Sequence, residues 1–315
     1  MVASRCVVAG LLLMLSVHAQ AQITPETAEI AKTIPIADVH MHAYRRGGPT
    51  AAQVLEQMDQ NGVRWGGAVG DFREDVATRL GNRYIPALGQ AEFARVFFSK
   101  GETALMDDND PVFQQLFDEA ERRLADGTAK GFGELHTDNH TSGPFRMQRY
   151  IPTDNPVVRR FFSIADKHGG FVQIHTQWDD KFNDDILRLA ADFPNAKVIL
   201  SHCLPVSKPA DLERLFAARE NIYCELSAQG AIHNQLSGLR RPPRVFSQEG
   251  VRPDWMALIR RYPTRVMVGS DACCGWFDSY SAMIDEIRTN LLPHFEPELM
   301  ERVAYKNAVI VFGLQ

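Results

Sequence analysis

Two histidines, His40 and His42, stand one residue apart at the end of an apolar run, Ile36 to His42 (IADVHMH). Residues two apart on a strand face the same way, so both imidazoles can point at one ion. An imidazole nitrogen binds Zn2+ at about 2.0–2.1 Å. Other metal-capable side chains close other apolar runs. Glu134 and His136 end Gly131 to His136 (GFGELH), His175 ends Phe171 to His175 (FVQIH), His202 ends Lys197 to His202 (KVILSH), and Asp271 ends Arg265 to Asp271 (RVMVGSD). If these runs are parallel strands of one sheet, their ends converge on a single mouth, and a divalent cation is the expected occupant. Mixed nitrogen and oxygen ligands suit Zn2+, Mn2+, Fe2+ or Ni2+. Zinc is the first expectation, as one ion or a pair.

The elements that must position these groups are legible as well. Val63 to Val69, Tyr84 to Leu88 and Asn221 to Leu226 complete a set of eight short apolar runs. Near-continuous apolar runs suit strands buried on both faces, as in a parallel sheet. Between them, Pro111 to Leu124, Pro156 to Lys167, Asp184 to Asp192, Ala210 to Arg219, Pro253 to Arg261 and Ser281 to Leu292 carry amphipathic helical spacing, with Phe72 to Leu80 a shorter case. Pro111 and Pro156 suit first helical positions, and Asp110 and Asn155 suit the caps before them. The alternation predicts a single-domain (β/α)8 barrel over residues 22–315, an architecture that typically needs about 250 residues. Gly89 to Asn109 and Ser227 to Gly250 read as long loops leaving strand ends, where barrel enzymes build their pockets.

Several residues around that mouth have two readings each. Tyr44, Arg45 and Arg46 follow the histidine pair and either grip a substrate carboxylate or are solvated loop charge. Trp178 follows the fifth strand and either packs on a substrate ring or shields the site. His136 either lines the mouth or lies in solvent. Arg240, Arg241 and Arg244 are further carboxylate-binding candidates, and His140 and His233 lie in loops, where they either contact substrate or are plain loop histidines, the latter preferred. A serine nucleophile is excluded: no Gly-x-Ser-x-Gly elbow accompanies Ser201 or Ser270. No phosphate-binding glycine loop occurs in the strand–helix setting it requires.

The first 21 residues read as a secretory signal. Arg5 precedes an apolar run, Val7 to Val17, and Ala19-Gln20-Ala21 supplies the small-x-small cleavage pattern. The run is short of the about 20 residues that span a bilayer, so the expected location is the periplasm or the exterior. The net charge of −5 without a basic run argues against nucleic acid or anionic lipid as partner. A small molecule is expected instead. Export permits disulfides, and Cys203 or Cys224 could bridge to Cys273 or Cys274, although all four also read as small buried hydrophobes.

Taken together, Asp38-Val39-His40-Met41-His42, the Ile174-His175 strand end, Leu200-Ser201-His202 and Gly269-Ser270-Asp271 resemble the amidohydrolase superfamily. The most similar group is the amidohydrolase-related proteins, which include aminocarboxymuconate semialdehyde decarboxylase; the ending Lys306 to Leu314 is similar to that group's usual ending. The resemblance covers essentially all of the chain after residue 21. It implies that His40, His42, His175 and Asp271 bind the metal, that Asp271 takes the proton of the attacking water, and that His202 acts on substrate or water. Gly133-Glu134 resembles the Gly-Glu of TatD-type relatives, where this glutamate helps hold a second metal; here Glu134 either does that, with His202 shared, or orients a ligand histidine. The expected reaction is hydrolysis of a small ester, lactone or amide by activated water. The alternatives are non-oxidative decarboxylation on the same site and a non-catalytic exported binding protein.

Overall fold

The computed structural model describes residues 23–43, 48–140, 148–179, 183–238, 243–273 and 277–315. Tyr44, Arg45, Arg46, Arg240, Arg241, Cys274 and the signal segment, singled out above, lie outside them. The strands are β1 (Ile36–Asp38), β2 (Val63–Gly67), β3 in two pieces (Tyr84–Ile85 and Ala87–Gly89), β4 (Gly131–His136), β5 (Phe171–His175), β6 (Lys197–Leu200), β7 (Ile222–Glu225) and β8 (Val266–Met267). Each pairs in parallel with the next in chain order. Pro86 divides β3 because it brings no N–H to the ladder, and its carbonyl still accepts from Lys130 N at 2.8 Å. No ladder forms between β1 and β8. The ring is joined there by two main-chain bonds, Val39 N to Val268 O at 3.2 Å and Asp271 N to His40 O at 2.9 Å. This is a (β/α)8 barrel.

The expected helices are present. Pro111–Ala125 buries Phe113, Leu116, Phe117, Ala120 and Leu124, the stripe that a 3.6-residue period dictates. Its cap is Asp110, which accepts from Val112 N at 2.9 Å, and Asn155 accepts from Val158 N at 3.1 Å at the start of Pro156–His168. The stretch expected to be a loop after β3 is largely helical: Gln90–Lys100 buries Phe93 and Val96, and a 3-10 turn follows over Glu102–Met106. A further helix, Ala51–Gln60, is capped reciprocally by Thr50 and Gln53. The connection after β7 holds a short helix, Ala231–Leu236, and a small hairpin of Phe246–Ser247 with Gly250–Val251.

The cysteine expectation is corrected. Cys203 bonds Cys224, with Cα atoms 4.8 Å apart. The register explains it: Cys224 pairs with Leu200 on the neighbouring strand, and the chain turns back immediately beyond, over Ser201–Cys203. Cys273 is itself disulfide-bonded, which removes it as a thiolate ligand.

Candidate metal centre

Strand polarity delivers the expected side chains to one end of the barrel. His40 Nε2 lies 3.5 Å from Asp271 Oδ1, and His42 Nε2 lies 3.4 Å from the same oxygen. Glu134 stands at the hub. Its Oε1 is 2.7 Å from His175 Nδ1 and 3.2 Å from His202 Nε2, while its Oε2 is 2.8 Å from His136 Nε2 and 3.5 Å from His40 Nε2. Ligand atoms of His40, His42 and Glu134 fall within 4.8 Å of one another, and so do those of Glu134, His136 and His175. Thus His40, His42 and Asp271 meet directly, and His175 joins them through Glu134. The β4–β5 register shifts between Phe132 and Leu135, and such an irregularity re-aims side chains. It falls where Glu134 lies, and Glu134 and His136 share a contact.

Backbone geometry is unusual at two of these positions. His202 and Asp271 both hold φ of 55°, a left-handed conformation costly for residues with a Cβ. At His202 the chain leaves β6 in a 3-10 turn rather than continuing as strand. Arg244 secures that turn by donating to the carbonyls of His202, Cys203 and Leu204. The guanidinium therefore holds main chain.

Burial disfavours charge on every group of the cluster, and neighbours decide the outcome. For Glu134 burial is outweighed by His136, His40 and His175, which hold its carboxyl well below the usual range. Asp271 is likewise held low against burial, by its contact with His42 and by the nearby His40 and His202. His42 is pushed up to about 9, burial being overcome by Asp271 and Asp71. His175 goes the other way, down to about 3, through burial and the adjacent His136. A neutral, buried imidazole is the form that binds a metal.

The residues fit a divalent cation. His40 Nε2 and His175 Nε2 are buried and make no hydrogen bond, a costly arrangement for ring nitrogens unless another partner takes their lone pairs. Each has its other nitrogen against a carboxylate, Glu225 for His40 at 2.9 Å and Glu134 for His175 at 2.7 Å. An Nδ1–H donated to a carboxylate leaves the Nε2 lone pair for a metal, the usual arrangement around ligand histidines.

The remaining candidates divide. His136 stacks on His175 with centroids 4.2 Å apart and bonds Glu134, so it belongs to the cluster. Trp178 is half-buried against the hydrophobic core. His140 bonds Asp138 at 2.6 Å. His233, read as a loop histidine, instead places Nδ1 3.7 Å from Asp271 Oδ2. Sequence reasoning missed four groups: Glu225, Asp38, Asp71 and Arg149. Glu225 carried the same signal as the histidines, a charged residue at the end of an apolar run (IYCEL). Asp38 accepts from His40 N at 3.2 Å and Ser270 N at 2.8 Å, tying β1 to the segment after β8. Arg149 is buried, donates to His136 O at 3.3 Å and lies over the Phe97 ring.

Among solved structures the chain is similar to 2,6-dihydroxybenzoate decarboxylase from Rhizobium, at 14% identity, 92% of this chain and 95% of that one, TM-score 0.48. It is similar to 5-carboxyvanillate decarboxylase from Sphingomonas paucimobilis at 17% identity, 86% and 85% coverage, TM-score 0.46. A probable 2-pyrone-4,6-dicarboxylic acid hydrolase from Acinetobacter baumannii, solved with citric acid bound, is similar at 11% identity, 89% and 97% coverage, TM-score 0.48. No curated protein matches. A family model described as amidohydrolase matches residues 37–314, from the strand that leads into the histidine pair to the last residue but one. On that match the chain belongs to the amidohydrolase family.

Proposed function

We propose that the protein is an exported hydrolase that holds one divalent cation, zinc first, with His40, His42, His175 and Asp271, and that it cleaves a small ester, lactone or amide. The observation that carries this reading is the meeting of two imidazole nitrogens on one carboxylate oxygen, His40 and His42 on Asp271 Oδ1 at 3.5 and 3.4 Å. The Cys203–Cys224 bond supports export, since such bonds persist in oxidising compartments.

A cation bound there supplies Lewis acidity, lowering the pKa of a coordinated water towards roughly 7. Asp271, kept ionised by its histidine neighbours, accepts the proton of the attacking water and passes it to the leaving group. His233 faces the other oxygen of that carboxylate and steadies it through the transfer. His202 presents Nε2 to the site while Ser227 Oγ lies 2.7 Å from its Nδ1, so it is oriented to polarise the substrate carbonyl. Glu134 orients His175 through Nδ1.

Decarboxylation remains the second reading. It is favoured by the buried Arg149 beside His136, since an arginine at that depth suits a carboxylated substrate. Turnover of a candidate ester, lactone or carboxylate panel in oxygen-18 water separates the two. Hydrolysis puts the label in the product. Release of carbon dioxide with no label in the organic product refutes the hydrolase reading and establishes the lyase.

A further inference from the structure

Glu225 ends β7 as a fully buried carboxylate. Its Oε1 lies 2.9 Å from His40 Nδ1 and accepts from His202 N at 2.7 Å, and its Oε2 accepts from Ser227 N at 2.7 Å. No lysine or arginine pairs with it among the described residues; its one ion-pair partner there is His40. A buried charge without a compensating partner is strongly destabilising, so a group this deep must be matched through what it touches. Room for it is kept by a missing side chain. A Cβ on Gly269 would sit 2.9 Å from Glu225 Oε2 and 2.6 Å from His40 Cβ.

We infer that Glu225 is a positioning residue for the metal centre, fixing the His40 imidazole with Nε2 turned to the cation and, with the same oxygen, the main chain of His202. A carboxylate oxygen at 2.9 Å requires Nδ1 to carry the hydrogen, because two lone pairs at that distance repel. Gln173 Nε2 approaches the same nitrogen at 3.3 Å, and Val39 O at 3.3 Å, but the Glu225 contact, at 2.9 Å, is the shorter and sets the hydrogen on Nδ1. His40 Nδ1 therefore carries the hydrogen, and Nε2 is left facing Asp271 and Glu134. The bond to His202 N holds the first residue of the left-handed turn beyond β6. One carboxylate thus sets a ligand and a substrate-facing histidine from two strands.

This inference rests on the metal reading, and the experiment keeps the two apart. Chelator-treated wild type and Glu225→Leu are titrated with Co2+, and the His40 Nδ1–H is read by nitrogen-15 NMR before metal is added. Leucine fills the space but offers no acceptor to His40 Nδ1 or to His202 N. The expected result is a His40 Nδ1–H that is lost or exchanges with solvent, and about 10–100-fold weaker Co2+ binding. A control pair, Cys203→Ala with Cys224→Ala, removes a buried bond one residue from both His202 and Glu225 and should leave the His40 Nδ1–H and Co2+ affinity as in wild type. If Glu225→Leu does not fold, Glu225→Asp, which withdraws the carboxylate by one methylene, is read the same way. Wild-type affinity and an unchanged His40 Nδ1–H in Glu225→Leu overturn the inference alone, as does an equal loss of affinity in the cysteine control. A wild type that takes up no Co2+ overturns the metal reading itself.

Discussion

Removing the Cys203–Cys224 bond, by changing both residues to alanine, should cost the fold a definite amount. The bond closes a loop of 21 positions from the turn after β6 to the end of β7. Chain-entropy reasoning assigns a loop of that size about 11 cal/mol/K, or about 3 kcal/mol at 25 °C. The turn it anchors is intrinsically unfavourable: His202, Cys203, Leu204 and Val206 all have positive φ, between 46° and 63°. Arg244 and Glu225 still hold the turn by hydrogen bonds, so the variant should fold with its site intact. A domain of this size loses about 2 °C of melting temperature per kcal/mol, which predicts a drop of about 6 °C. Calorimetry of wild type and variant, with thiol titration of the denatured wild type, measures it. A variant melting within about 1 °C of wild type, a shift too small for the entropy term, would refute the reasoning, and so would free thiols at both positions in the native protein.

Other perturbations follow from the same geometry. Asp271→Asn removes the proton acceptor while keeping the shape, and should lower turnover on any identified substrate by at least about 100-fold; full activity would reject the role given to Asp271. Gly70→Ala would place a Cβ 1.7 Å from Gly133 O and 2.4 Å from Leu88 O, so the variant should be insoluble or melt far below wild type, and a normal melt would contradict the close approach of these segments. In chelator-treated protein, His175 has its pKa lowered to about 3 by burial and His136, against about 6.5 in the unfolded chain. Protonation then favours unfolding, so its stability term is complete above about pH 6.5 and lost as pH falls towards 3. His42, raised to about 9, contributes fully below about pH 6.5 and loses that contribution as pH rises through 9. Urea midpoints should peak near pH 6.5, and His175→Asn should flatten the acid limb; an unchanged acid limb would count against the buried neutral imidazole.

The barrel was legible in the sequence because buried parallel strands leave continuous apolar runs and because the polar residues ending them stand out. His40, His42, Glu134, His175, His202 and Asp271 were visible for that reason. Gln90–Lys100 was not: it lies between Gly89 and Gly101 with no side-chain cap, so nothing but the spacing of Phe93 and Val96 marks it. Glu225 carried the same mark but stands one place inside its run, before Leu226, so it does not close the run as the histidines close theirs. The contact of His233 with Asp271 joins a short helix to the segment after β8, and no local pattern encodes such a pairing. The left-handed turn at His202, which settles the cysteine pairing, was likewise invisible in a stretch that reads as uninterrupted strand.

Whether these side chains share one cation is measured by elemental analysis of protein purified without chelator, followed by melting before and after metal removal. One equivalent of divalent transition metal per chain is expected, with loss of it in a His40→Ala, His42→Ala variant and a stabilisation of about 4 kcal/mol on restoring metal at a thousandfold excess over its Kd. Two equivalents would make Glu134 a shared ligand. No bound metal, and a melting temperature indifferent to zinc, manganese, iron or nickel, would contradict the account.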